Sequence, residues 1–117
     1  MKIHYVYSPI IPELLSEDVA YTYATALDII EQMVNENEGT TSLQDPSDVT
    51  ILISYRTSTD LNIFGKTECV NKVVQSFNES PNISLSITKS LQTGEQYSVV
   101  SAIVVKKKKS ELLLRDI

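Results

Sequence analysis

The stretch VTILISY, residues 49–55, decides the fold of this chain. It is rich in β-branched residues, and its four odd-numbered residues are apolar or aromatic, a pattern typical of a strand with one face in a core. Leu52 lies on the other face and indicates partial cover on that side. The sequence therefore predicts a largely buried strand here, and the neighbouring segments are interpreted as the elements that pair with it and cover it.

Upstream of this strand, the sequence predicts one strand and one long helix. Residues 2–8 (KIHYVYS) alternate in the manner of a strand, with His4 expected on the surface, and two prolines end it. Ser16 is a typical N-cap, because two acidic residues follow it. Apolar residues at helical spacing then predict a helix over 17–37, and Gly39 is the expected stop.

The segment after the central strand predicts a hairpin and a second helix. A polar loop over 56–60 leads to a short strand over 61–64, which is expected to pair with the central strand. Thr67 is predicted to cap a helix whose apolar residues, from Val70 to Phe77, recur at helical spacing.

The next segment predicts a second β-hairpin. Residues 82–89 alternate, and the aliphatic residues from Ile83 to Ile87 are expected to face inward. The turn is expected at 92–95, where it contains a glycine, and residues 96–105 (QYSVVSAIVV) form the partner strand.

These elements predict an α+β fold in which a mixed or antiparallel sheet of four to five strands carries two helices. Their order is β-α-β-(β)-α-β-β, and one arrangement compatible with it is the ferredoxin-like split βαβ fold with an added C-terminal strand. Residues 1–109 are interpreted as one domain, and residues 110–117 as an apolar C-terminal tail.

The charge of the chain is divided unevenly along its 117 residues. Residues 1–50 hold one basic residue and nine acidic ones, a net charge of −8, whereas residues 51–117 carry a net charge of +3. No apolar run is long enough to span a membrane, no secretory signal is recognisable, and the only cysteine, Cys69, cannot form an internal disulfide. We therefore predict an intracellular protein, cytoplasmic or nuclear, that acts away from membranes.

The residues Gly65-Lys66-Thr67 resemble the end of a phosphate-binding loop only in part. Such a loop requires a first glycine five residues earlier, and Asp60 stands there instead, which places a negative charge where phosphate would bind. What remains is a weak prediction that Lys66 and Thr67 bind a generic anion at the start of the second helix.

Catalytic and metal chemistry find little support in the residues present. Cys69 falls in the first turn of the second helix and could meet the only histidine, His4 on the first strand, across the sheet, but no third residue is implicated, and Cys69 is more typical of a small core residue. One histidine and one cysteine fall short of the usual zinc ligand sets. We expect no enzyme, metal, cofactor or small-molecule substrate, although a small enzyme with a shallow site near Cys69, Lys66 and Arg56 stays open at this point.

Lys106 to Lys109 form the densest charge in the chain and have several interpretations. Four lysines can contact the phosphates of a nucleic acid, although the overall acidity opposes long-range attraction. Lysines at a sheet edge prevent edge-to-edge aggregation, and a basic strand end can also contact the acidic first helix. A fourth interpretation is a docking strip for an acidic protein.

The tail SELLLRDI adds an apolar cluster to this strip, in the form of Leu112, Leu113 and Leu114. The tail either packs on its own domain or contacts another subunit. The sequence thus predicts a non-enzymatic protein-interaction or assembly subunit of an intracellular complex, with a protein partner or homodimer. The alternative is an accessory RNA- or DNA-binding factor, such as a non-catalytic subunit of an RNA-processing complex, that uses Lys106–Lys109.

Overall fold

Two helices lie on one face of a mixed β-sheet in this computed structural model, which describes residues 1–11, 13, 15–40, 47–94 and 96–107, with backbone only at 38–40. The elements in chain order are β1 (Lys2–Tyr7), α1 (Glu17–Glu36), β2 (Glu38–Thr40), β3 (Val49–Tyr55), β4 (Thr59–Lys66), α2 (Thr67–Asn78), β5 (Ile83–Thr93) and β6 (Tyr97–Lys106). The predicted α+β class and the order β-α-β-β-α-β-β are confirmed. The three-residue β2 is an additional strand that the sequence did not predict.

The strand order in the sheet is β2-β1-β3-β4-β6-β5. The strand β1 pairs in parallel with β2 and with β3, and the remaining neighbours are antiparallel. The helix α1 provides the crossover between β1 and β3 that a parallel pair requires. Strands β3 and β4 form the expected hairpin, closed by a bond from the Arg56 N–H to the Ser58 carbonyl, but β4 is eight residues long rather than four.

The suggested ferredoxin-like strand order is wrong. In a split βαβ unit another strand separates the two parallel strands that the helix connects, whereas β1 and β3 are hydrogen-bonded neighbours here. Their register aligns Ile3 with Val49 and Tyr5 with Ile51, so that direct pairing places apolar side chains of both strands on one core. The hairpin then places β4 on the free side of β3.

The core lies between the sheet and both helices. Alternate residues of the central strands face the helices and are buried, and the helices contribute the residues that cover them. The largest fully buried side chains are Tyr23, Phe77, Ile3, Ile30, Ile51, Ile53, Leu61, Ile63 and Ile83.

Helix α1 begins as the sequence predicted and ends differently. The Ser16 side chain accepts a hydrogen bond from the Val19 N–H at 3.3 Å, which confirms the N-cap. At the other end Asn37 is the C-cap, and its side-chain amide donates to the Met33 carbonyl at 2.9 Å. The prediction that Gly39 stops the helix is wrong, because Gly39 already lies within β2.

Helix α2 begins without a side-chain cap. Lys66 occupies the N-cap position and Thr67 is the first helical residue, so the predicted Thr67 cap is wrong. Strand β4 continues directly into the helix, and Thr67 at this junction is hydrogen-bonded to residues at the start of β6. The Thr67 hydroxyl shares a 2.8 Å hydrogen bond with the Ser98 hydroxyl, and the Thr67 N–H donates to the Gln96 carbonyl at 2.7 Å.

A β-bulge divides β5 into two parts. The register with β6 is regular up to Ile87 and shifts by one residue before Lys89. Ile87 lies on the helix-covered face, as expected, but its side chain is 49% exposed on this edge strand rather than buried. After the bulge the alternation is reversed, and Leu91 lies on the opposite face from Ile87.

Candidate protein-interaction site

The face of the sheet opposite the helices is covered by no helix or strand among the described residues. We call this surface the open face. Its members follow from the register, because residues opposite one another share a face. Starting from Phe64, which pairs with Thr50 and Val99, every second residue of the neighbouring strands belongs to it. The apolar side chains of the open face are Val6, Leu52, Phe64, Leu91, Tyr97, Val99, Ile103 and Val105.

The centre of the open face is polar but internally satisfied. The Ser101 hydroxyl donates to the Asn62 side-chain oxygen at 2.7 Å, and these residues are directly opposite in the β4–β6 pair. Phe64 and Val99 lie next to this pair on one side, and Ile103 on the other. Two charged residues also lie on this part of the open face: Lys89 is opposite Ser101, and Asp60 is opposite Ile103.

An ion pair lies at the border of the open face, at the end of β4. Lys66 Nζ lies 2.8 Å from Asp48 Oδ1, and the other oxygen of Asp48 accepts a 2.7 Å bond from the Lys2 N–H. The hydrogen bond from Lys66 and then the bond from Lys2 hold the pKa of the Asp48 carboxyl below its ordinary value. The bond to Asp48 raises the pKa of Lys66 in turn.

This geometry places the two residues of the weak anion-site prediction. Lys66 is paired with Asp48, and Thr67 is bonded to Ser98 through its hydroxyl and to Gln96 through its N–H. Both residues therefore have protein partners for the groups that an anion would use. Anion binding by Lys66 and Thr67 stays a prediction.

Lys106 contacts the acidic end of the first helix. Its Nζ lies 3.6 Å from Asp18 Oδ1 and 4.8 Å from the centre of the Tyr21 ring, a cation–π distance. This contact agrees with the interpretation that the basic strand end lies against the acidic helix. The interpretation as edge protection is wrong for Lys106, because β6 lies inside the sheet between β4 and β5.

Lys107 is attached to the C-terminal end of α2. Its N–H donates to the Asn82 carbonyl at 2.9 Å, and its Nζ donates to the carbonyls of Asn78 and Ser80 at 3.1 and 2.6 Å. The last turn of α2 has no basic residue of its own, so Lys107 supplies the positive charge that a helix C-terminus favours.

The other residues of the predicted partner site lie outside the described residues: Lys108, Lys109, Leu112, Leu113 and Leu114. The nucleic-acid interpretation of the strip stays a prediction. Two of its four lysines, Lys106 and Lys107, have protein partners in the structure.

A groove of about 490 Å³ lies on the helix side of the molecule, and we call it the helix groove. One wall is a stripe of α1 from Thr25 to Glu36, and the other is the end of α2 with the turn that follows it. Its lining includes three carboxylates and no basic residue among the described residues. The members are Thr25, Asp28, Ile29, Gln32, Met33, Glu36, Ser76, Glu79, Ser80, Pro81 and Asn82.

His4 and Cys69 lie on different sides of the sheet. His4 pairs in register with Thr50 of the open face, and Cys69 packs against the core on the helix side. The expected surface position of His4 is wrong, because its side chain is only 6% exposed and its Nε2 has no hydrogen-bond partner among the described residues. A Cys–His nucleophile pair finds no support in this placement.

The sequence did contain a signal for the open face. Residues 96–105 are apolar on both faces, a composition that indicates cover on both sides of a strand. Interpreting this segment only as a hairpin partner missed Val99, Ile103 and Val105 as candidate contact residues.

The described residues contain neither a cluster of metal ligands nor a membrane-spanning helix. No group of three or more His, Cys, Asp or Glu side chains in the described part of the chain is arranged to hold a metal ion. Within the same residues, no helix has the length and apolar character needed to cross a membrane. Comparison of the chain with protein-family models, with curated proteins and with solved structures gives no match.

Proposed function

We propose that this chain is a non-enzymatic interaction subunit that binds a second copy of itself through the open face. The observation that carries the proposal is the side of the central strands that no described helix or strand covers and that presents apolar side chains. Phe64, Leu91 and Val105 are large apolar side chains that remain exposed there, and the polar pair at the centre is satisfied within the chain. Exposed large apolar side chains grouped on one face in this way mark interaction sites in soluble proteins.

The size of the open face suits a dimer interface. Five strands about 4.8 Å apart, with about seven residues each at about 3.3 Å per residue, cover roughly 550 Å² in projection. This projected area is of the same order as the ~800 Å² that each partner buries in a standard interface. Two such faces can pack as the layers of a sandwich do.

Charge favours this face over the helix side for self-association. Two copies that met through their helices would bring together the acidic residues of α1, among them Asp28 and Glu31. The open face carries charges of both signs: Asp48 and Lys66 form an ion pair, and Asp60 and Lys89 also lie on it, so that two copies meet there with less like-charge repulsion than through their helices.

Two positions of β5 provide a matched test. Leu91 and Ile87 belong to the same strand and are both 49% exposed, but only Leu91 is on the open face. We expect sedimentation equilibrium to show a dimer for the unmodified chain and for Ile87→Glu, and a monomer for Leu91→Glu. Circular dichroism of all three proteins confirms that the fold is retained.

Two results would overturn the proposal. One is a monomer for the unmodified chain at concentrations of about 100 μM, well above the micromolar affinities of standard-size interfaces. The other is equal dissociation by both glutamate substitutions. If the unmodified chain is monomeric but captures a different protein that Leu91→Glu alone loses, the second copy is rejected as the occupant and the open face is kept as a binding surface.

A further inference from the structure

We propose that residues 108–117 of this chain dock into the helix groove of the same molecule and join α1 to the end of α2. This inference concerns the helix side of the sheet and does not depend on the proposed dimer. It rests on where the described chain ends, on the charge of the groove and on the apolar residues in its lining.

The position of Lys107 directs the following residues to the groove. Its three hydrogen bonds hold backbone and side chain against Asn78, Ser80 and Asn82. Ser80 and Asn82 are themselves part of the groove lining. Lys107, the last described residue, therefore lies at the rim of the groove.

The charges of the groove and of the segment are complementary. Asp28, Glu36 and Glu79 line the groove, and no basic residue does so among the described residues. The first two residues after Lys107 are Lys108 and Lys109. Lysine side chains beside these carboxylates lower the repulsion among the carboxylates, an effect that is strongest at low salt.

The apolar parts and the dimensions also fit. Ile29, Met33 and Pro81 give the groove an apolar component, and the segment carries three consecutive leucines. The α1 wall from Thr25 to Glu36 extends about 17 Å at 1.5 Å per residue. Ten residues span up to about 33 Å when extended, so residues 108–117 are long enough to follow the whole wall.

A spin label near the end of the segment tests the proposal. In a Cys69→Ser, Asp116→Cys chain, a nitroxide on residue 116 is expected to broaden the amide signals of α1 between Thr25 and Glu36. Amide signals of the open face, such as Phe64, are expected to keep their intensity. The 117-residue chain is used throughout, and the reduced nitroxide gives the reference intensities.

Charge variants of the groove test whether its carboxylates bind the segment. Without such binding, the segment would lie near the groove only because it is attached at Lys107. Asp28→Lys together with Glu79→Lys is expected to restore most of the lost intensity. Glu31→Lys, also on α1 but outside the groove lining, is expected to leave the broadening unchanged. Retained broadening in the double variant, with circular dichroism showing an intact fold, would contradict the role of the carboxylates and overturn the proposal.

A mixture of two chains tests whether the segment docks into its own molecule. One chain carries the nitroxide and no ¹⁵N, and the other carries ¹⁵N and no nitroxide. Intramolecular docking predicts no broadening in this mixture. Broadening of the groove amides in the mixture would show that the segment of another copy occupies the groove. Either that result or the absence of groove broadening in the first experiment would overturn the proposal.

Discussion

The hydroxyls of Thr22 and Thr59 lie 2.8 Å apart in the buried contact between α1 and β4. Thr22 Oγ1 also donates within its own helix, toward the carbonyls of Asp18 at 2.9 Å and Val19 at 3.2 Å. Thr59 Oγ1 has a second, longer contact to the Val19 carbonyl at 3.3 Å. This hydroxyl pair is a directional polar contact in an otherwise apolar interface, and it helps to position the first turns of α1 on the sheet.

Replacement of these threonines by valine is expected to be non-additive. Thr59→Val leaves the Thr22 hydroxyl with its helix carbonyls and should cost about 1 kcal/mol of unfolding free energy. Thr22→Val leaves Thr59 only the longer contact and should cost about 1–2 kcal/mol. The double variant should cost less than the sum, because two apolar groups of the same shape then meet. Urea unfolding of the four proteins measures the coupling, and strict additivity would contradict it.

Gly65→Ala is expected to be severely destabilising. Gly65 has φ +147°, and an added Cβ would lie against the backbone of Asp48 and 2.7 Å from the Cα of Val49. The backbone strain alone costs about 1–3 kcal/mol, and the steric overlap with main-chain atoms adds to it. We expect a loss of more than about 3 kcal/mol in urea unfolding, or failure to fold.

Gly94→Ala is the matched control for this substitution. Gly94 also has a positive φ, +71°, but nothing lies within 4 Å of an added Cβ. Only the left-handed conformation is then penalised, by about 1–2 kcal/mol. Equal losses for the two alanine variants would show that the contact with β3 is not what requires glycine at position 65.

Asp48→Asn is expected to remove a pH-dependent part of the stability. The pKa of Asp48 is lowered in the folded state, first by the bond from Lys66 and then by that from Lys2. The contribution is therefore present above the unfolded pKa of about 3.9 and is lost as pH falls through the folded value. The variant should have a lower urea midpoint than the unmodified chain at pH 7, and the two midpoints should converge on acidification.

Lys66, the basic partner of Asp48, adds a second pH dependence of the stability, at alkaline pH. The pKa of Lys66 is raised in the folded state by Asp48, so its contribution is present below the unfolded pKa of about 10.4 and is lost as pH rises through the folded value. Glu31→Gln, on the outer part of α1, serves as a charge-matched control. The acidic pH dependence assigned to Asp48 would be contradicted if the difference in urea midpoint between Asp48→Asn and the unmodified chain were the same at pH 3 and at pH 7.

His4→Leu is expected to leave stability unchanged or to raise it by about 1 kcal/mol. A buried polar atom without a partner carries a desolvation cost that an apolar side chain of similar size avoids. Nε2 of His4 is such an atom within the described residues. Urea unfolding at pH 7.5 measures the effect. A loss above about 1 kcal/mol would indicate that the imidazole makes a favourable contact that a leucine cannot replace.

Local patterns predicted most elements of this fold because they depend on neighbouring residues. The alternation in VTILISY and the Ser16 cap both report short-range geometry, and both are confirmed. The strand order depends on which distant strands pair, and no local period encodes that choice. Thr67 shows the same limit, since its hydroxyl bonds Ser98 of β6 rather than its own helix.

The candidate site was less accessible to prediction than the fold. Contact of the basic strand end with the acidic helix was one of several interpretations of the lysines, and the structure shows Lys106 near Asp18. The burial of His4 was missed, because a polar residue on an alternating strand is normally assigned to solvent. The open face required the register of four strand pairs, which only three-dimensional pairing supplies.

The bulge in β5 determines which face of the sheet each residue after it occupies. Before it, Ile83 is buried with the helices, and after it, Leu91 faces the other way. Removal of Thr88 would restore strict alternation and leave every side chain from Lys89 to Thr93 on the face it already occupies, because Lys89 would then follow Ile87 directly and stay opposite Ser101. Closure of the bulge with Thr88 kept and paired with Ser101 would instead move Lys89 toward the helices and withdraw Leu91 from the open face, without altering the chemical identity of either residue.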